Sequence, residues 1–133
     1  MPGIVGIIGK LPRAIAEEEL AGMLQAIRHE DFYKTGTLVH ESLGVYVGWT
    51  VPENSFAEGT PYRNERGDLR LVFSGEEYPD PGDVQRLKAQ GHRWEGEGGA
   101  YLAHVYEEDR HFPRGLNGMF HGLALDEALG EVI

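Results

Sequence analysis

Ile4, Val5, Ile7 and Ile8 form a β-branched run near the start of the chain, interrupted by Gly6 and closed by Gly9. This pattern predicts a buried strand over 4–8, packed closely against neighbouring backbone. Over 17–27 the apolar positions Leu20, Met23, Leu24 and Ile27 recur at helical spacing, with Glu17, Glu18 and Glu19 in the first turn where the macrodipole favours acids. Two strands are predicted next, over 37–40 and 43–51, the second carrying Val45, Val47 and Trp49 on one face and Tyr46 on the other. A polar loop covers 52–66, and another strand covers 69–73, stopped by Ser74-Gly75. Tyr78-Pro79-Asp80-Pro81-Gly82-Asp83 combines turn and N-cap residues ahead of a short helix over 84–89. A glycine- and glutamate-rich connector over 94–99 leads to a second long helix, with Leu102, Val105 and Tyr106 on one face, ending near Asp109. Finally, Met119, His121, Leu123 and Leu125 alternate with Phe120, Gly122 and Ala124 in the period of a strand over 119–126.

Strands at both ends with helices between them predict an α+β or layered sandwich fold. The 133 residues suit one domain, without internal repeat or long linker. Apolar content of 41% is enough for a packed core. The formal charge of -10 argues against nucleic acid and anionic membrane as partners, since both are bound through basic side chains. The absence of cysteine excludes thiol catalysis, disulfides and cysteine-ligated zinc. No stretch is apolar enough to span a bilayer and the N-terminus is no secretory signal, so the expected location is cytoplasmic.

Several phrases, taken in order, resemble the N-terminal glutaminase domain of asparagine synthetase, a class II glutamine amidotransferase of the N-terminal nucleophile (Ntn) hydrolase fold. Met1-Pro2-Gly3-Ile4-Val5-Gly6-Ile7 stands where that family has Met-Cys-Gly-Ile-x-Gly-Ile. Ile27-Arg28-His29-Glu30-Asp31 follows the family's Arg-His-Arg-Gly-Pro-Asp halfway. Leu71-Val72-Phe73-Ser74-Gly75-Glu76-Glu77-Tyr78-Pro79 matches Leu-Val-Phe-Asn-Gly-Glu-Ile-Tyr-Asn. Ala103-His104-Val105-Tyr106-Glu107-Glu108 and Leu116-Asn117-Gly118-Met119-Phe120-His121-Gly122-Leu123-Ala124-Leu125-Asp126 are similar to Leu-His-Leu-Tyr-Glu-Glu and Leu-Asn-Gly-Met-Phe-Ala-Phe-Ala-Leu-Trp-Asp. The resemblance implies a four-layer αββα sandwich in which residue 2, freed by removal of Met1, enters a pocket at the sheet ends.

It also implies that the glutaminase chemistry is gone, because that chemistry needs a strong nucleophile beside a base and donors for the oxyanion. Pro2 occupies the nucleophile position without thiol or hydroxyl. Ser74 replaces the oxyanion-hole asparagine, leaving the Gly75 N–H as donor, and losing one such donor costs about a hundred- to a thousandfold. Leu43-Gly44-Val45-Tyr46-Val47-Gly48 corresponds to the phrase carrying the substrate-binding arginine, and Val47 stands there instead. Glu97-Gly98-Gly99-Ala100 places Gly98 where the family's acid holds the substrate ammonium, while Glu76 belongs to the family phrase. Pro2, Val47, Ser74, Gly75, Glu76 and Gly98 thus mark a degenerate substrate pocket, with no catalytic residue assigned. Two alternatives are an amidohydrolase using the Pro2 amine as base or nucleophile, and an amine site built from Glu97, Ser74 and Glu76.

No metal or cofactor is expected. The six histidines, His29, His40, His92, His104, His111 and His121, lack the close spacing of a metal site, and Glu107-Glu108-Asp109 suits solvated helix positions. Gly96-Glu97-Gly98-Gly99 lacks the lysine and preceding strand of a phosphate loop. No Ser-Gly-Gly-x-Asp phrase of an ATP pyrophosphatase is present. The family domain continues beyond the phrase ending at Asp126, so the sandwich is expected to be incomplete at its C-terminal end. The expected partner is a synthetase-type subunit, or a second copy of the chain, that completes the sheets. On this reading the chain is a structural or interaction subunit of an asparagine-synthetase-like ligase.

Overall fold

The computed structural model describes residues 2–133. It is a mixed α+β chain with two antiparallel sheets. The first sheet has the order β1-β3-β2, from β1 (Gly3–Ile8), β2 (Tyr33–His40) and β3 (Val45–Pro52). The second has the order β4-β5-β6-β7, from β4 (Tyr62–Arg63), β5 (Leu69–Glu77), β6 (Gly118–Asp126) and β7 (Glu131–Val132). Three α-helices, α1 (Arg13–Ile27), α2 (Pro81–Ala89) and α3 (Leu102–Glu108), connect them with short 3-10 turns.

β3 is central to its sheet, and its residues 45–51 are all buried. Tyr46 faces α1, forming a small core with Ala16 and Leu20 and the flanking Val5, Ile7 and Val39. Val45, Val47, Trp49 and Val51 belong instead to the larger core, which includes Leu71 and Phe73 of β5 and Leu102, Ala103 and Tyr106 of α3. The predicted division of β3 between two faces therefore holds, but both faces are covered. Alternation in sequence reports which residues share a face, whereas burial depends on what packs there.

Several boundaries move once the partners are present. α1 begins at Arg13, because the Pro12 carbonyl accepts the Ile15 and Ala16 N–H groups at 3.0 Å. β2 begins at Tyr33, because β3 offers a continuous antiparallel ladder from Tyr33 opposite Pro52 to His40 opposite Val45. The expected stop of β5 at Ser74-Gly75 is corrected: pairing continues through Ser74–His121, Gly75–Phe120 and Glu76–Met119 to Glu77–Gly118. A full-length neighbour overrides the local breaker signal. α2 starts at Pro81, with the Asp80 carboxylate accepting the Gly82 N–H at 2.7 Å. The second long helix is shorter than expected, since a 3-10 turn, Gly98–Tyr101, precedes α3. β7 and β4 are two-residue pairings that periodicity does not signal.

Outside the ladder with β5, β6 has a partner at one end alone among the described residues. Leu125 and Asp126 pair with β7, and Ala124 exchanges backbone hydrogen bonds with Ile133 at 2.8 and 2.9 Å. Residues 118–123 have no described strand on that side, and Met119 is 87% exposed.

Candidate functional site

Of the residues at the expected glutaminase pocket, Val47 lies on β3 and Ser74, Gly75 and Glu76 lie on β5. Pro2 is half-buried immediately before β1, whose Gly3 N–H donates to the Thr50 hydroxyl at 3.1 Å. The expected removal of Met1 lies outside the described residues. Val47 is fully buried, opposite Gly6 of β1 and Leu38 of β2, so core packing fills the position where the resemblance implies an arginine. Ser74 is buried opposite His121, and its hydroxyl has no hydrogen-bond partner among the described residues. Gly75 has φ +115°, and a Cβ there would stand 2.2 Å from the Met119 carbonyl oxygen, which excludes other residues. Glu76 is exposed and accepts a hydrogen bond from the Tyr78 hydroxyl at 2.9 Å.

Gly98 instead lines a cavity of about 500 Å³, together with Asn54, Phe56, Tyr62 and Glu97. Its backbone seats against Phe56, whose carbonyl oxygen a Cβ at Gly98 would approach to 2.2 Å. That carbonyl also accepts from the Tyr62 hydroxyl at 2.7 Å, and the same hydroxyl accepts the Gly99 N–H at 3.2 Å. Burial pushes the Tyr62 phenol up to about 12, against the opposing Gly99 N–H, so it stays a neutral donor. A second cavity of about 550 Å³ lies between the turn before α2 and α3, lined by Glu77, Asp83, Arg86, Tyr101 and Asn117 among others. Glu77 is buried at its edge and accepts from the Tyr101 hydroxyl.

A group of four ionisable side chains converges elsewhere, where α3 meets the turn before β5 and the loop after α2. His104 and Glu107 are one turn apart on α3, with His104 Nδ1 3.0 Å from Glu107 Oε2. Glu65, between β4 and β5, brings Oε2 to 3.3 Å from the same nitrogen. His92, just past α2, brings Nδ1 to 3.7 Å from Glu107 Oε2 and 3.8 Å from Glu65 Oε1. One donor atom from each of the four residues lies within 4.8 Å of the others.

Three members are hydrogen-bonded from outside the group. His92 Nε2 donates to Glu108 Oε1 at 2.9 Å, and Glu108 Oε2 accepts from Gln90 at 3.2 Å. Glu107 Oε1 accepts from Asn64 Nδ2 at 2.9 Å, and Glu65 Oε1 accepts the Arg93 N–H at 2.6 Å. His104 is completely buried and packs against the Trp94 ring at 5.4 Å, and its Nε2 has no partner among the described residues. Burial pushes the Glu65 carboxyl up, but the Arg93 N–H and the imidazoles of His104 and His92 outweigh it and leave it below the usual range.

The expectation that the histidines are scattered is thereby corrected for His92 and His104, whose rings lie 5.0 Å apart. Glu107, expected on a solvated face, is likewise drawn inward, its side chain 17% exposed. Ligand-spacing rules register donors on one local segment, whereas here three segments meet. The local signal available was His104 and Glu107 at i, i+3; His92 and Glu65 carried none. No helix among the described residues is long and apolar enough to cross a membrane. No protein-family model matches the chain, and no curated protein is significantly similar to it.

Proposed function

We propose that this chain is a catalytically silent relative of the glutaminase domain of asparagine synthetase, acting as an interaction subunit of an ATP-dependent amide-forming enzyme. The observation that carries the interaction role is the open edge of β6 over residues 118–123, beside the exposed Met119. An unpaired strand edge is a template for a strand from another polypeptide. The lineage rests on the ordered phrases from Met1 to Asp126, and the packing is compatible with it. α1 packs on one face of the first sheet through Ala16, Leu20 and Tyr46, while the opposite face joins β5 and α3 in the larger core. That order of layers supports an αββα sandwich.

The loss of chemistry follows from side-chain identity. Pro2 offers no thiol or hydroxyl, Val47 is sealed in the core where a carboxylate clamp is required, and Ser74 and Gly98 replace the oxyanion and ammonium partners. The purified protein is therefore expected to release no ammonia from glutamine and to associate with a second chain. Ammonia release abolished by blocking the N-terminal amine would replace the silent-subunit reading with a Pro2-dependent amidohydrolase. Light scattering showing a folded monomer at micromolar concentration, with no co-purifying chain, would refute the interaction role.

A further inference from the structure

We propose that Glu65, His92, His104 and Glu107 form a zinc-type divalent metal site that clips α3 and the loop after α2 to the turn entering β5. The site uses none of the residues at the expected pocket, and Glu65 and His92 lie outside the phrases that carry the resemblance.

Geometry carries the assignment. A tetrahedral ion with bonds of about 2.1 Å places its donors about 3.4 Å apart. With Glu65 Oε2 as its donor atom, His104 Nδ1 lies 3.3 Å from Glu65 and 3.0 Å from Glu107 Oε2, which in turn lies 3.7 Å from His92 Nδ1, separations on either side of that edge length, and one donor atom from each of the four residues lies within 4.8 Å of the others. Two imidazole nitrogens and two carboxylates also make a donor set suited to zinc, cobalt or nickel; magnesium and calcium prefer all-oxygen sites.

The surrounding hydrogen bonds leave the ligand atoms facing inward. His92 directs Nδ1 into the group because Nε2 is held by Glu108, the carboxylate–histidine arrangement that fixes metal-binding imidazoles. Asn64 holds the outer oxygen of Glu107, and the Arg93 N–H holds Glu65. Charge points the same way. Glu65, Glu107 and Glu108 converge here, while the guanidinium of Arg66 reaches Glu107 at 3.5 Å from a largely exposed position. A dication would neutralise this excess. Glu65 is 41% exposed, so an ion can enter from solvent, while four protein donors favour a structural over a catalytic role.

The test uses the full chain after chelator treatment, titrated near neutral pH with Co²⁺ and Zn²⁺, with Mg²⁺ as control. Expected are one Co²⁺ per chain with the visible absorption of a four-coordinate site, quenching of Trp94 emission, and displacement by Zn²⁺. Zn²⁺ should also raise the melting midpoint. Glu65→Gln and His92→Gln should each weaken binding at least about tenfold. Trp94→Phe should remove the quenching while leaving the cobalt absorption. Failure of wild-type protein to bind either ion in molar excess would overturn the proposal. Binding that both Glu65→Gln and His92→Gln leave unchanged would place the ion elsewhere and overturn it equally. If Glu65→Gln and His92→Gln unfold, the imidazole NMR signals of His92 and His104 in wild-type protein supply the test: Co²⁺ at the site shifts or broadens both, and signals that bound Co²⁺ leaves unchanged would overturn the proposal.

Discussion

The open edge of β6 has a parity that makes its interaction role quantitative. Ala124 exchanges both backbone hydrogen bonds with Ile133, so it directs its N–H and C=O away from β5. In an antiparallel ladder such residues alternate, which turns Gly122, Phe120 and Gly118 outward as well. A docking strand would therefore gain about six backbone hydrogen bonds, worth roughly 3–9 kcal/mol at the usual net value. Burial of Met119 adds about 2 kcal/mol. Association itself costs on the order of 4–15 kcal/mol, so the edge alone supports weak pairing and a tight complex needs further surface. Gly122→Pro removes one outward N–H without removing a donor from the β5 ladder. Each such bond is worth about 0.5–1.5 kcal/mol, so the dissociation constant should rise roughly two- to twelvefold. Sedimentation across a concentration series measures it, with circular dichroism to verify the fold. Unchanged association by a folded Gly122→Pro protein would refute pairing along this edge. Should proline distort the strand, Met119→Lys at an exposed position supplies the same test by charging the edge.

Burial pushes the Glu77 carboxyl up, with Asp83 adding its charge and the Asn117 N–H opposing. Its folded value therefore exceeds its unfolded one; the native state holds the proton more tightly between the two, and stability falls as pH rises through that window. Glu77→Gln should accordingly raise the melting midpoint at neutral pH, with the gain vanishing below the ordinary carboxylate range; a lower midpoint at neutral pH would mean that the Tyr101 and Asn117 donors outweigh burial. Gly36 lies opposite Trp49, and a Cβ there would stand 2.3 Å from the indole Cζ2. Gly36→Ala should cost about 1–3 kcal/mol and lower the melting midpoint by several degrees in calorimetry, whereas an unchanged midpoint would show that the indole repositions freely. Pro2→Cys with Met1 removed should still release no ammonia from glutamine, because Val47 remains sealed where the proposed lineage implies a cation; turnover in that variant would refute the reading of this pocket as degenerate.

Local pattern located β1, α1, β3 and β6 but not their burial: β3 is covered on both faces, whereas β1, expected as a buried strand, is an edge strand with Ile8 exposed, and β6 is buried only near Ala124 and Leu125. It failed where another strand decided the outcome. Lys34 and Gly36 have little intrinsic strand character, yet β3 extends beside them; Ser74 and Gly75 read as a stop, yet β6 continues the ladder to Glu77. The metal-ligand geometry was less legible for the same reason. His104 and Glu107 share a helix face and could be paired from their spacing, but His92 becomes their neighbour through the fold of the α2–α3 connector, and Glu65 through the turn before β5. The helix that resembles a family phrase, Ala103-His104-Val105-Tyr106-Glu107-Glu108, thus supplies half of a group whose other half comes from segments with no such resemblance. Lineage and metal binding therefore separate experimentally. Glu65→Gln and His92→Gln disturb the ion without touching the phrases that carry the lineage, while Gly122→Pro disturbs the sheet edge without touching the ion.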